Sequence, residues 1–309
     1  MLYMRFAHLF ETMPLNQLDN PAETRFHVGG KVFRLLPNTG IQQLYGPGHS
    51  LNDIAFLQYS QGGSSRPCSD LALPLQTAPS RPRMPHSADS RRRATIAYVT
   101  PFLAFIGIMA VERLIPLPPQ WLYVVRFLIV TALIVTLSWP YLSFRPSAPL
   151  ASIAIGVAVF VIWVAPDLLF GYRHHWLFEN PFTGAAVSSF DPHLKANIGF
   201  MLLRSVSSAI VIPILEELFW RGWMMRWLID KDFLSVPLGK YVPSAFWIVA
   251  LLFASEHGPY WEVGLAAGIV YNWWIVRTRN LADCILAHSV TNAVLCAYVL
   301  ATGQWQYWL

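Results

Sequence analysis

The chain has 309 residues, of which 55% are hydrophobic and only 13% are charged, and its mean hydropathy is +0.42. Soluble domains carry about 25% charged residues, so this composition excludes an ordinary soluble enzyme and indicates a membrane protein. The net charge of +5 requires no nucleic-acid partner, because basic residues on one side of a membrane also set topology. The 13 Trp and 12 Tyr fit aromatic belts at the bilayer interfaces.

Residues 1–93 differ from the rest of the chain. They contain no apolar run long enough for a span, and 61–93 is rich in Ser, Pro and Arg, as disordered linkers are. We therefore expect a poorly ordered N-terminal extension and linker over 1–93. Met84 is followed by a polar leader, three arginines and a span, as at the start of many bacterial membrane proteins. We interpret 1–83 as a dispensable extension or as a misassigned start.

Apolar runs follow one another from residue 94 to the end of the chain. A helical span needs about 20 residues. The pattern predicts an all-α, polytopic transmembrane helix bundle of about seven spans in a domain over 94–309. The predicted spans are roughly 94–114, 120–140, 149–170, 196–229, 242–257, 260–277 and 280–301.

Basic residues predict the orientation of these spans. Arg91, Arg92 and Arg93 precede the first span, and further Lys and Arg follow the second, fourth and sixth. The positive-inside rule then places the N-terminus in the cytoplasm and the C-terminus outside.

The stretch 211–226 places Glu216, Glu217 and Arg221 inside an apolar run. An ionisable residue in a span costs about 2.5–3.5 kcal/mol on insertion scales, so this group needs a reason. Glu217 and Arg221 are i,i+4 neighbours and can pair, whereas Glu216 lies about 100° around the helix. We interpret Glu217 as structural and Glu216 as free for chemistry. The alternative is a purely structural cluster.

Further polar groups occur at similar depth on two other spans. His257 ends the fifth span, and His288 and Asn292 share one face of the seventh. A lone buried His is more often a satisfied interior residue, but polar groups from three helices together indicate an intramembrane site. Three other acids, Glu256, Glu262 and Asp167, are expected to face an interface or solvent.

Two kinds of chemistry suit this constellation. Glu216 can act as a base on a water held by His257, while His288 and Asn292 donate hydrogen bonds to a developing oxyanion. Alternatively, Glu216, His257 and His288 bind a divalent metal such as zinc. The HExxH motif is absent and Asn is a poor zinc ligand, so we favour the metal-independent site.

Three short motifs on successive spans carry a resemblance: Glu216-Glu217-x-x-x-Arg221, Phe253-x-x-x-His257 and His288-x-x-x-Asn292. Their order and spacing resemble the CPBP family of type II CAAX-prenyl endopeptidases and bacteriocin-processing or immunity relatives, with the motif core at 196–301. From Met84 onward, the layout also resembles the CAAX protease-related proteins of exosortase-bearing bacteria.

The resemblance implies an intramembrane endopeptidase, a peptide hydrolase, in the bacterial inner membrane. It assigns water activation to Glu216 and His257, and oxyanion stabilisation to His288 and Asn292. By the same resemblance, Glu217 and Arg221 form a supporting pair and no cofactor is required. The expected partners are the lipid bilayer and a membrane-embedded or membrane-anchored protein, cleaved in a membrane-associated or C-terminal segment; no nucleic acid is expected.

Two other functions use the same residues differently. A membrane immunity or scaffold protein would keep its biological activity after Glu216→Gln. A proton-coupled transporter could relay protons through buried Glu, Arg and His, but the sequence shows no inverted repeat and no paired broken helices.

Overall fold

The computed structural model describes residues 86–112, 114–187 and 191–308, and the backbone of three short strands. The chain divides into two compact units, Met1–Arg81 and Pro82–Leu309. In the first unit, β1 (Arg25–Val28), β2 (Lys31–Leu36) and β3 (Gly40–Tyr45) form an antiparallel sheet in chain order. The remainder of the predicted extension up to residue 85, including most of the predicted misassigned start, lies outside the described residues.

All described elements of the second unit are helices, which confirms the predicted all-α fold. The longer ones are α1 (Ala88–Glu112), α2 (Pro119–Tyr141), α3 (Pro149–Phe170), α4 (Pro192–Ala196), α5 (Ile198–Trp227), α6 (Pro243–Ser255), α7 (Trp261–Thr278) and α8 (Leu281–Thr302). Two short 3₁₀ turns follow α6 and α8, at Gly258–Tyr260 and Trp305–Tyr307.

Each of the seven predicted apolar runs forms a helix. Five of these helices, namely α1, α2, α3, α5 and α8, are long and apolar enough to cross a membrane, so the chain is an integral membrane protein. Helix α6 has only 13 residues, because Gly258 and Pro259 end the helical run after Ser255. Helix α1 begins at Ala88, ahead of the predicted boundary at 94, and includes the three arginines.

A buried carboxylate joins the beginning of α8 to the beginning of α3. Asp283 is fully buried and accepts hydrogen bonds from the backbone N–H groups of Ser147 and Ala148, both at 2.9 Å, and from the Ser152 hydroxyl at 2.9 Å. A negative charge at a helix N-terminus is favoured by the helix dipole and satisfies the first free N–H groups. This contact fixes α8, and therefore His288, against α3.

Helices α3 and α8 approach each other closely at Gly156. A Cβ atom there would lie 2.4 Å from the Ala287 carbonyl oxygen and 2.7 Å from Val290 Cβ. We expect Gly156→Ala to lower the free energy of unfolding by about 1–3 kcal/mol, because the two backbones must separate. Chemical unfolding in mixed micelles measures this change.

The matched control is Gly107→Ala in α1, where an added Cβ would meet nothing within 4 Å. This control should be neutral or stabilising by about 0.5–1 kcal/mol, since alanine favours a helix over glycine. Equal stability losses for both variants would contradict the close α3–α8 packing.

Candidate intramembrane active site

Helix α5 carries the two adjacent carboxylates on a segment between two π-helical stretches. These stretches are Ser207–Val211 and Leu218–Met224, and the α-helical segment Ile212–Glu217 lies between them. Pro213 has no backbone N–H, so the regular hydrogen-bond ladder is interrupted where the first stretch ends. A π-turn changes the direction in which the following side chains point, and such turns are frequent at functional sites.

Glu217 and Arg221 form the predicted i,i+4 ion pair. Arg221 Nη1 donates to Glu217 Oε1 over 3.0 Å, and both side chains are fully buried. Two groups of α7 complete the guanidinium shell: Asn272 Oδ1 accepts from Arg221 Nε at 2.9 Å, and the Gly268 carbonyl accepts from Nη2 at 3.3 Å. A buried charge is tolerated when it is paired and hydrogen-bonded in this way.

Asn272 was missed by the sequence reasoning, although it belongs to this frame. It is fully buried, and its amide also donates to the Phe246 carbonyl at 2.8 Å, so it ties Arg221 to α6. The sequence feature that could have identified it is an amide inside an apolar helix, four residues after Gly268. Gly264 and Gly268 form a small-xxx-small pattern on α7, where added Cβ atoms would lie 3.1 Å from His257 and 3.2 Å from Ala250, so α7 packs closely against these residues.

His288 of α8 lies between the two carboxylates. Its Nδ1 is 2.9 Å from Glu217 Oε1, and its Nε2 is 3.9 Å from Glu216 Oε2. A carboxylate can only accept, so Nδ1 carries the proton, and Nε2 donates only when the ring is an imidazolium. The ring stacks on Tyr271 at a centroid distance of 5.0 Å.

The Tyr271 ring is in turn held by α8. Its hydroxyl donates to Thr291 Oγ1 over 2.7 Å, and both residues are buried. Arg221 lies over the same ring, 5.4 Å from its centroid, and over that of Phe253 at 4.6 Å. The aromatic side chains therefore fix both the guanidinium and the imidazole.

Glu216 has a different environment from Glu217. Only 12% of its side chain is exposed, and within the described residues its buried Oε2 has no hydrogen-bond partner. Glu217 Oε2 also lacks one, but the other oxygen of Glu217 binds both Arg221 and His288. A buried carboxylate oxygen without a partner is costly, so water or a substrate is expected to complete the Glu216 site.

Glu256 lies beside the site, and its expected orientation toward an interface stays a prediction. It is half-buried, and its carboxylate is near enough to that of Glu216 for the two negative charges to repel each other. Glu256 lies just past the end of α6, immediately before His257 and the turn Gly258–Tyr260. A residue at a helix end is therefore not necessarily solvated.

His257 follows the end of α6 and is firmly held. Its Nδ1 is 2.7 Å from the Phe253 carbonyl, an acceptor, so Nδ1 carries the proton and Nε2 is left with a lone pair. The ring contacts Trp163 and Phe253 at centroid distances of 5.2 and 4.7 Å. A His in this tautomer can accept a hydrogen bond from water.

Asn292 lies one turn beyond His288 and is oriented by α5. Its Nδ2 donates to the Ser208 carbonyl over 2.8 Å, in the first π-helical stretch, which leaves the second N–H of the amide. The structure thus joins Glu216, Glu217, Arg221 and His288 by direct contacts. In the described part of the chain, neither His257 nor Asn292 is hydrogen-bonded to Glu216.

The same geometry bears on the alternative metal set of Glu216, His257 and His288. Across the described residues, no three His, Cys, Asp or Glu side chains are grouped closely enough to hold a metal ion. Each imidazole has its Nδ1 engaged, which leaves Nε2 as the possible ligand atom. Glu216, His257 and His288 would have to move closer to one another before they could bind zinc.

Comparison with known proteins finds one similarity, over the part of the chain that carries this site. The family described as type II CAAX prenyl endopeptidase Rce1-like matches residues 198–294, which run from the beginning of α5 into α8. No curated protein and no solved structure matches the chain significantly. The matched stretch contains all three motifs, and the predicted resemblance is confirmed. Residues 198–294, which carry the site, are similar to the Rce1-like family of type II CAAX prenyl endopeptidases.

Proposed function

We propose that the protein is an intramembrane endopeptidase that hydrolyses a peptide bond in a membrane-associated or C-terminal segment of a protein substrate. The observation that carries this proposal is Glu216: a buried carboxylate whose Oε2 has no hydrogen-bond partner among the described residues, 3.9 Å from an imidazole nitrogen of His288. The bilayer and a membrane-anchored substrate protein are the expected partners. The family match to residues 198–294 supports the reaction class.

In this proposal, Glu216 takes a proton from a water that also donates to His257 Nε2. The water oxygen attacks the substrate carbonyl carbon, and negative charge develops on the carbonyl oxygen. The free N–H of Asn292 and an imidazolium of His288 donate to that oxygen. Glu216 then passes its proton to the leaving amine as the C–N bond breaks, so the site returns to its initial state.

Glu217 and Arg221 have a supporting role in this mechanism. Arg221 neutralises Glu217, and the same Glu217 oxygen accepts from His288 Nδ1, which orients the imidazole. Glu216 is thereby left without a hydrogen bond from Arg221, and its Oε2 lies 3.9 Å from His288 Nε2. The different roles of Glu216 and Glu217 follow from the i,i+4 spacing of Glu217 and Arg221 and from the position of α8.

We expect cleavage to continue in the presence of a strong chelator and to be lost in His257→Gln. Removing a positioned acid–base group lowers kcat by about 10²–10⁴-fold. The measurement uses detergent-purified protein with its metal content quantified, and a library of membrane-anchored peptides analysed by mass spectrometry. The matched control is Ser255→Ala, which removes a hydroxyl bonded to the Leu252 carbonyl in the same helix.

Two outcomes would change this proposal. Wild-type cleavage by His257→Gln would remove that residue from the mechanism. Activity that tracks a stoichiometric metal would instead make Glu216, His257 and His288 metal ligands.

A further inference from the structure

The turn that follows His257 is covered by the loop between α3 and α4, described here over 171–187. Arg173 of this loop is almost completely buried, with 2% of its side chain exposed. Its Nη1 donates to the Pro259 carbonyl over 2.8 Å and to Glu262 Oε1 over 2.6 Å. The guanidinium also lies over the Tyr260 ring, 4.3 Å from the centroid. One side chain therefore binds the turn Gly258–Tyr260 and the first helical residues after it.

The loop backbone contacts the same turn from a second direction. Gly258 has a φ of +53°, and a Cβ atom there would lie 2.8 Å from the Thr183 carbonyl oxygen. Trp261 Nε1 donates to the Leu177 carbonyl over 3.3 Å. These contacts leave the turn little freedom to move away from loop 171–187.

The acids around Arg173 were expected to be solvated, and this expectation is wrong. Glu262 binds Arg173 directly, and Asp167 Oδ1 lies 3.8 Å from Arg173 Nε. Asp167 also accepts a hydrogen bond from the Tyr307 hydroxyl over 2.8 Å, which brings in the segment after α8. Two carboxylates thus hold a buried guanidinium in place against the turn.

The turn Gly258–Tyr260 sets the position of His257. The backbone N–H of Tyr260 donates to the His257 carbonyl over 2.9 Å, and the His257 N–H donates to the Ala254 carbonyl over 3.1 Å. The imidazole is fixed by the Phe253 carbonyl on one side and by Trp163 on the other. Because His257 lies outside α6, the turn replaces the helix as its support.

We infer that Arg173 is a positioning residue that holds His257 in its reactive orientation through the turn Gly258–Tyr260. This inference rests on the proposed function, since it assigns Arg173 to the same site. A misplacement of about 1 Å at a reacting group can cost up to about 10²-fold in rate. The loss of Arg173 should therefore reduce the chemical step rather than substrate binding.

The test compares Arg173→Gln with Tyr172→Phe in the full-length protein. Tyr172 is the matched control because its hydroxyl donates to the same Glu262 Oε1 over 3.0 Å and forms no hydrogen bond with the turn among the described residues; its contact with Arg173 Nη2 is long, at 3.5 Å. Burial, reinforced by the Glu262 hydrogen bond, raises the pKa of Tyr172 to about 12, so this hydroxyl remains a donor at neutral pH. We expect Arg173→Gln to lower kcat by about 10²-fold with KM within about twofold, and Tyr172→Phe to change neither by more than about threefold.

A second readout follows the imidazole itself, without any substrate. In protein labelled with ¹⁵N-histidine, the His257 signals are assigned by their absence in His257→Gln. The wild type should show a single tautomer with the proton on Nδ1, and Arg173→Gln should show a shifted or averaged pair of signals. If Arg173→Gln does not fold, Glu262→Gln weakens the same contact and should move both readouts in the same direction by a smaller amount.

Wild-type kcat together with unchanged His257 signals in Arg173→Gln would overturn the inference. The proposed function is judged separately, by cleavage in the wild type. If the wild type cleaves no peptide but the His257 signals respond to Arg173→Gln, the positioning role is supported and the peptidase assignment fails. If the wild type is inactive and the signals do not respond, both fail.

Discussion

Glu216→Gln is expected to abolish peptide cleavage while the bundle remains folded. The substitution keeps the size of the side chain but removes the base, so kcat should fall by about 10²–10⁴-fold. Stability should change little, because Oε2 of Glu216 accepts no hydrogen bond from the described residues. The substitution removes only the long contact between Oε2 and His288 Nε2, which are 3.9 Å apart, so little pairing energy is lost.

The measurement combines kcat on a cleaved membrane-anchored peptide with chemical unfolding of the same preparation. Glu179→Gln is the control, because it also removes one carboxylate, from loop 171–187, where Glu179 pairs with the exposed His174. This control should keep kcat within about threefold, because a pair with an exposed His174 is worth little and a glutamine Oε1 can still accept the hydrogen bond from the Ala186 N–H. If Glu216→Gln cleaves as well as the wild type, Glu216 is not the base. A host phenotype rescued by that variant would favour the scaffold alternative.

The features that could be predicted from the sequence are those that depend on local periodicity. The apolar runs predicted the helices, and the i,i+4 spacing predicted the pair of Glu217 and Arg221. The order of the motifs predicted which helices contribute to the site. In each case the relevant neighbours are close in sequence or share one helix face.

The contacts between helices could not be predicted in the same way. His288 binds Glu217 across 71 residues, and Arg221 binds Asn272 across 51. Neither spacing follows from a helix repeat, so both depend on how α5, α7 and α8 pack. The sequence therefore suggested Glu217 as structural but did not show that it also orients His288.

The wrong expectations share one physical cause. Glu262 and Asp167 lie at or next to helix ends, where solvent exposure is the usual state. Here, the buried Arg173 of loop 171–187 lies against both carboxylates and supplies the charge that makes their partial burial possible. A single basic residue in a loop gave no indication of this role.

Arg221→Met is expected to give the largest loss of stability among these variants. It leaves the fully buried Glu217 carboxylate without its cationic partner, and breaking a buried pair in this way costs about 3–5 kcal/mol. The cation contacts with Phe253 and Tyr271 and the hydrogen bond to Asn272 are lost at the same time. Unfolding in mixed micelles measures the change.

The double variant Glu217→Gln/Arg221→Met separates the charge from the packing. It removes both charges, and a glutamine Oε1 can still accept the hydrogen bond from His288 Nδ1. We therefore expect it to recover a large part of the stability lost in Arg221→Met. The control, Arg92→Met, changes an exposed residue of α1 and should stay within about 0.5 kcal/mol of wild type. No recovery in the double variant would mean that Arg221 acts through Asn272 and the aromatic rings, and that Glu217 is not held by its charge.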